Sequence, residues 1–187
     1  LFRSDTKHLE IGKDVTMRDV QRTTAAYYGM VETVDGYIGQ ILHKLEEAGQ
    51  NLDDWIIVFT SDHGEMLGEH GIWAKHKFYE SSARVPLFIR WPAEYRPRRI
   101  TSNVNLCDLY ATLCQLCDIP IPAGLDSRSL SCLMAGKEED WDDESISQYL
   151  GEYLMIKKGN LKYQYYGPDM PLVLFDLAAR SEEHTSE

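Results

Sequence analysis

A repeat of apolar positions every three or four residues between residues 16 and 49 predicts one long amphipathic helix near the start of the chain. Thr16 followed by Asp19 has the sequence of a capping box, and Gly49 suits the other end as a C-cap. Such a helix is about 50 Å long at ~1.5 Å per residue. The face that we expect to pack on a sheet comprises Val20, Thr24, Tyr27, Val31, Val34, Ile38, Ile41, Leu45 and Ala48.

Two shorter apolar runs in the middle of the chain predict strands. Residues 55–59 form an uninterrupted apolar run, which is typical of a buried strand, and residues 85–90 predict another. Residues 103–119 then have the pattern of a strand end and a helix, which Pro120 and Pro122 stop.

The last part of the chain has the pattern of a small antiparallel sheet. Residues 153–158 and 161–166 flank a Gly-Asn pair, which predicts a hairpin, and residues 172–176 suit a third strand. Taken with the helices and strands before it, this favours an α/β fold followed by an antiparallel subdomain from about residue 148.

Composition and charge exclude several classes of protein. The chain has 187 residues and 43% hydrophobic content, enough for one domain, or a domain with a small appendage, and its core. No run approaches the ~18 apolar residues of a membrane helix. The net charge of −11 argues against a nucleic-acid surface.

The residues after the first predicted strand are candidates for chemistry. Asp62 and His63 directly follow the apolar run, and ligands of open α/β sheets bind beyond the carboxyl ends of strands. Lys75 adds a cation thirteen residues after Asp62. Asp62 is a hard oxygen ligand suited to calcium, magnesium or manganese, whereas His63 is softer and leaves the metal less defined. The alternative is that Asp62 caps a helix and His63 is a solvated loop residue.

The segment S-D-H-G-E-M-L-G-E-H-G-I-W-A-K, residues 61–75, resembles a long family motif. It is similar to the second metal-binding motif of sulfatases, S-D-H-G-x-x-L-G-E-H-G-x-W-x-K, within the alkaline-phosphatase-like superfamily, and every fixed position is met. The likeness is greatest to the choline-sulfatase-like and iduronate-sulfatase-like branch. It extends more loosely over residues 14–179.

The resemblance implies a fold and a set of site residues. The fold would be part of an alkaline-phosphatase-like sheet sandwiched by helices. Asp62 and His63 would bind a divalent cation, with Ca²⁺ favoured over Mg²⁺ and Mn²⁺, and Lys75 would contact the sulfate. A metal ion and a lysine together offset the charge that develops on a sulfate ester as its S–O bond breaks.

Other polar residues of the segment have weaker claims. Glu65 and Glu69 lie four residues apart, but no H-E-x-x-H zinc motif is present. His70 and Glu69 are more readily explained as groups that order the loop. We expect Arg84 to pair with a carboxylate for a structural reason.

The nucleophile of the resembled family is missing from these residues. Sulfatases use a formylglycine made from the Cys or Ser of a C/S-x-P-S-R motif, and none of the four cysteines is followed by that pattern. The family's first pair of metal aspartates and its N-terminal Lys and His are also missing. The chain therefore resembles the C-terminal part of a sulfatase, with about half of an active site. Alone it is expected to be inactive.

The cysteines do not define a metal site or a disulfide. Cys107, Cys114 and Cys117 are spaced by seven and three, which suits one face of a helix and hence the core. A zinc site would need a fourth ligand, which we do not find. Free buried thiols favour, weakly, a reducing compartment such as the cytoplasm, and the location stays open.

The domain organisation follows from these assignments. We assign residues 1–147 to the C-terminal part of the catalytic α/β domain and residues 148–179 to a partial antiparallel β subdomain. Residues 180–187 match one reading frame of a common sequencing adapter, and we interpret them as an artefact that makes few contacts. The start at Leu1, without an initiating Met, fits a fragment.

The sequence thus predicts a sulfuric ester hydrolase acting on a small-molecule or carbohydrate sulfate ester. A phosphonate monoester or phosphodiester hydrolase of the same superfamily is the alternative enzyme. A non-catalytic metal-binding homologue is the alternative from another class. No nucleic-acid or membrane partner is expected, and the oligomeric state is open.

Overall fold

The computed structural model describes residues 13–75 and 77–179, which fall into two compact units with a boundary after Glu94. Each unit is described by itself. The boundary expected at 147/148 lies inside a strand of the second unit, Glu144–Tyr149, and the domain assignment stays a prediction. The artefact expected at residues 180–187 lies outside the described residues.

The first unit begins with α1, Met17–Glu47, and its caps explain where it begins and ends. The Thr16 hydroxyl accepts from the backbone N–H of Asp19 at 3.2 Å, and the Asp19 carboxylate accepts from the backbone N–H of Thr16 at 3.0 Å. Hydrogen bonds from the Thr16 hydroxyl and backbone lower the pKa of Asp19. The predicted capping box is confirmed. Ala48 is the C-cap, and Gly49 lies one position later with φ +80°.

No residue of α1 is buried, and the positions of its predicted apolar face are half-buried or exposed. The expected packing on a sheet is therefore not seen among the described residues. The large apolar side chains of α1 with 50–64% of their area accessible are Met17, Tyr28, Met30, Val31, Val34, Tyr37 and Ile41. No helix in the described part of the chain is long and apolar enough to cross a membrane.

Two strands carry the candidate site. Strand β1, Ile57–Thr60, pairs antiparallel with β2, Leu87–Arg90, and a short helix α2, Glu80–Ala83, precedes β2. Both strands begin two residues later than predicted. β1 is only partly buried rather than fully buried, because β2 is its one paired neighbour among the described strands.

The second unit has a small helical core. It is built on α3, Asp108–Leu116, and α4, Ser131–Met134. The Thr112 hydroxyl joins the two, since it donates to the Asp108 carbonyl at 2.6 Å and accepts from the Leu130 N–H at 2.9 Å. The buried apolar side chains here are Ala111, Cys114, Leu116, Leu130, Leu133 and Met134.

The expectation that three cysteines share the core face of one helix is wrong. Cys114 is buried, but Cys107 and Cys117 are the caps at the two ends of α3 and are exposed. The helix is shorter than its apolar pattern suggested, and this leaves the outer two thiols beyond it. All four cysteines are free, as expected.

A four-stranded antiparallel sheet completes the second unit, in the order β3-β4-β5-β6. The predicted hairpin and third strand are confirmed. The sequence analysis did not predict β3, whose first residue, Glu144, is the last residue of an acidic segment at residues 137–144. The strands are Glu144–Tyr149, Tyr153–Lys158, Leu161–Tyr165 and Val173–Asp176.

Candidate functional site

The candidate site begins directly beyond the carboxyl end of β1. The Ser61 hydroxyl donates to the carbonyl of His63 at 2.7 Å, and the His63 N–H donates to Oδ1 of Asp62 at 3.0 Å. These local bonds turn the chain sharply after the strand. They place both side chains at the point where the sequence predicted a ligand site.

The Asp62 carboxylate and the His63 imidazole converge. Nδ1–H of His63 donates to the carbonyl of Gly64 at 2.8 Å, which leaves the lone pair on Nε2. Oδ2 of Asp62 lies 3.3 Å from Nε2 of His63, a separation that one bound cation can bridge. The two side chains are 82% and 36% exposed, so ligands can reach both.

Lys75 points into the same place. Its Nζ donates to Nε2 of His63 at 2.5 Å. The ammonium therefore uses the lone pair that a metal would need. A metal bound by His63 and this hydrogen bond from Lys75 exclude each other, so loading the site would require the ammonium to move off the imidazole.

An irregular loop returns Lys75 to His63. The Met66 N–H donates to the Ala74 carbonyl at 2.8 Å, and the Gly68 N–H donates to the Ile72 carbonyl at 3.0 Å. The Met66 side chain is buried and anchors the loop. The loop is tightly turned because five of its residues have positive φ, namely Leu67, Gly68, His70, Gly71 and Ala74.

Gly64 docks this segment on α2. Its N–H donates to the Ser82 carbonyl at 2.8 Å. A Cβ built on Gly64 would lie 2.0 Å from the carbonyl oxygen of Ser81. Backbone cannot rotate away as a side chain can, so only glycine fits here.

Gly64→Ala is expected to lower the free energy of unfolding by about 1–3 kcal/mol, because the methyl group forces α2 away from the site loop. Thermal melting of the full-length protein measures this. Gly36→Ala is the matched control, since nothing lies within 4 Å of its Cβ position on α1. Alanine there should be neutral or stabilising by up to ~1 kcal/mol. Equal melting temperatures for wild type and Gly64→Ala would contradict the docking.

Two further polar residues of the segment, His70 and Glu65, order the loop. Glu69 makes no side-chain hydrogen bond or ion pair in the described part of the chain, so the loop-ordering role expected for it is not found. The His70 ring stacks on Tyr79 with centroids 4.1 Å apart, in keeping with the expected loop-ordering role. The Glu65 carboxylate accepts from the Ala74 N–H at 2.6 Å. No ion pair of Arg84 occurs among residues 13–75 and 77–179, so its expected carboxylate partner is not found there.

The donor set fits a hard or borderline divalent cation only as part of a larger site. The carboxylate suits calcium, magnesium or manganese, which take six or more ligands, whereas the imidazole is a softer ligand that these cations use less often. No group of three or more His, Cys, Asp or Glu side chains among the described residues is arranged to hold a metal. Further ligands would have to come from elsewhere.

Comparison with known proteins identifies the family. The sulfatase family matches residues 4–119, and the C-terminal region of N-sulphoglucosamine sulphohydrolases matches residues 68–175. The choline-sulfatase of Rhizobium meliloti is 36% identical over 181 residues, covering 92% of this chain and 34% of its own length. The chain thus spans about a third of the length of this relative.

Solved structures agree with the fold. A phosphonate monoester hydrolase from Silicibacter pomeroyi superposes with a TM-score of 0.80 at 29% identity, covering 92% of this chain and 38% of that one. BT4656 was solved in complex with its substrate D-glucosamine-2-N,6-O-disulfate. It superposes with a TM-score of 0.66 at 28% identity, covering 80% of this chain and 33% of that one. The α/β, alkaline-phosphatase-like fold is confirmed. The chain belongs to the sulfatase family.

Proposed function

We propose that the protein containing this chain hydrolyses a sulfate ester. The observation that carries the proposal is the convergence of three groups beyond β1 in a member of the sulfatase family. The Asp62 carboxylate lies 3.3 Å from Nε2 of His63, and Nζ of Lys75 lies 2.5 Å from the same nitrogen. The Lys75 ammonium can bind an anion, and it lies beside two atoms that can bind a metal ion, Oδ2 of Asp62 and Nε2 of His63.

Lys75 is the residue that we propose to contact the sulfate. Its ammonium is a compact point charge on a flexible stem, and it can leave His63 for an oxygen of the ester. In that position it would offset negative charge on the non-bridging oxygens as the S–O bond breaks. The exposed fraction of the neighbouring Asp62 side chain, 82%, shows that this side of the site is accessible in this chain.

Asp62 and His63 would hold the divalent cation, with Ca²⁺ favoured and Mg²⁺ or Mn²⁺ as the alternatives. A bound cation supplies Lewis acidity toward the sulfate oxygens. The carbonyl of Gly64 fixes the tautomer and orientation of His63, as outer-shell partners of metal-binding histidines do.

The nucleophile would come from outside these residues. The family resemblance implies a formylglycine, and no C/S-x-P-S-R motif occurs in the 187 residues. We therefore expect the isolated chain to hydrolyse nothing, even though it carries Lys75 and two metal ligands.

The substrate is proposed to be a small-molecule or carbohydrate sulfate ester. Two similar proteins support these two classes, a choline-sulfatase and a structure with a disulfated glucosamine bound as substrate. The match to the C-terminal region of N-sulphoglucosamine sulphohydrolases favours the carbohydrate class.

The deciding experiment compares two chromogenic esters on the full-length protein. We expect kcat/KM for 4-nitrophenyl sulfate to exceed that for 4-nitrophenyl phenylphosphonate, because the family match is to sulfatases. The reverse order would favour the phosphonate monoester or phosphodiester hydrolase, which the superposition on the Silicibacter enzyme makes the second candidate. No turnover of either ester, with metal bound, would favour a non-catalytic homologue.

A further inference from the structure

We infer that Glu65 is a positioning residue that holds Lys75 against the site, an inference that rests on the role proposed for Lys75. The Glu65 side chain makes no hydrogen bond or ion pair with Lys75 among the described residues. The Oε1 atom of Glu65 accepts a hydrogen bond from the backbone N–H of Ala74 at 2.6 Å. Ala74 is the residue immediately before Lys75.

The hydrogen bond stabilises a residue whose backbone conformation is unfavourable. Ala74 has φ +71°, a left-handed conformation that a residue with a Cβ seldom adopts. The Glu65 carboxylate also lies within 3.4 Å of the N–H of Leu67, whose φ is +48°. One carboxylate oxygen thus bridges both ends of the loop and offsets the cost of two left-handed residues. Hydrogen bonds to a charged acceptor are the stronger kind.

A second hydrogen bond of Ala74 helps to fix the direction in which Lys75 leaves the loop. The Ala74 carbonyl accepts a hydrogen bond from the Met66 N–H at 2.8 Å. Both backbone polar groups of Ala74 are therefore hydrogen-bonded to residues 65 and 66 on the other side of the loop. Met66 is itself buried and receives a hydrogen bond from the Ser81 hydroxyl. With Ala74 fixed in this way, the stem of Lys75 leaves the loop toward His63, and its Nζ reaches Nε2.

Without the carboxylate, Ala74 can relax to negative φ, which redirects the chain at Lys75. A displacement of about 1 Å at a group that contacts the reacting atoms costs on the order of 100-fold in rate. Glu65 would therefore affect turnover through Lys75 and not through the metal ligands. Glu69, in the same loop, is exposed, and its side chain makes no hydrogen bond or ion pair among the described residues, so it provides the matched control.

The test is a double-mutant cycle on the full-length protein with 4-nitrophenyl sulfate. Glu65→Ala should lower kcat by about 10- to 100-fold with a smaller change in KM. Glu65→Gln keeps an acceptor oxygen at the same place and should stay within about threefold of wild type. Glu69→Ala should match wild type. In the Lys75→Ala background, Glu65→Ala should cost nothing further, because the two residues act as one unit.

Two results would overturn the inference. One is an equal fold-loss of kcat from Glu65→Ala in the wild-type and Lys75→Ala backgrounds, which would indicate a general structural role. The other is unchanged kcat in Glu65→Ala with the wild-type melting temperature.

Amide hydrogen exchange of residues 66–75 separates this inference from the proposed function, because it does not depend on turnover. Glu65→Ala should speed exchange at Ala74, and Glu65→Gln and Glu69→Ala should not. Unchanged exchange at Ala74 in Glu65→Ala would overturn the inference even in an active enzyme. An inactive wild-type protein would contradict the proposed function and leave this exchange test intact.

Discussion

Lys75→Ala in the full-length protein is expected to change turnover and metal affinity in opposite directions. Turnover of a sulfate ester should fall by on the order of 100- to 1,000-fold, as when one preorganised charge-stabilising donor is removed. Metal affinity should rise by about tenfold, equivalent to ~1.4 kcal/mol. The rise is expected because the ammonium donates to Nε2 of His63 at 2.5 Å and so competes for the ligand lone pair.

Steady-state kinetics and calorimetric metal titration measure the two effects. Lys137→Ala, an exposed lysine in the second unit, is the matched control and should change neither. Unchanged turnover in Lys75→Ala would remove Lys75 from the mechanism. A weaker metal affinity would show that the ammonium supports the metal site and does not compete with it.

Asp62→Asn is expected to lower metal affinity by at least about 100-fold, because it removes a formal negative charge that lies 3.3 Å from Nε2 of His63. Turnover at limiting metal should fall with it and recover in part when metal is added in excess. A chelator should abolish turnover of the wild-type protein, and Ca²⁺ should restore it better than Mg²⁺ or Mn²⁺.

Metal content of the purified variants gives a readout that is independent of turnover. Asp140→Asn makes the same chemical change at an exposed position in the second unit and should keep the wild-type content. His63→Ala should behave like Asp62→Asn, since both ligand atoms face one point. Full metal content in both variants would show that the cation binds elsewhere.

Secondary-structure elements that are specified by a short stretch of sequence could be predicted. The helix α1 has its capping box at Thr16 and Asp19, and its apolar positions follow the helical period. The turn at Gly159 and Asn160 fixes the hairpin between β4 and β5. Each of these signals involves residues close together along the chain.

Elements that depend on distant partners could not be predicted. β3 begins in an acidic stretch and is held as a strand by pairing with β4 and by Asn105, whose side chain accepts from the N–H of Ile146 at 3.1 Å. The core face of α3 includes the buried Asp108, which accepts from the backbone N–H of Arg128 at 2.9 Å. Neither partner is signalled by hydrophobic periodicity.

The sequence by itself determined the family and singled out the three candidate site residues, because a motif of fifteen positions is specific whatever its conformation. Only the tertiary structure decided how they meet. Lys75 reaches His63 because five left-handed residues fold the loop back on itself, and no periodic pattern encodes such a path. The roles of Gly64 and Glu65 were likewise settled by contacts through space, a backbone carbonyl in one case and a backbone N–H nine residues away in the other.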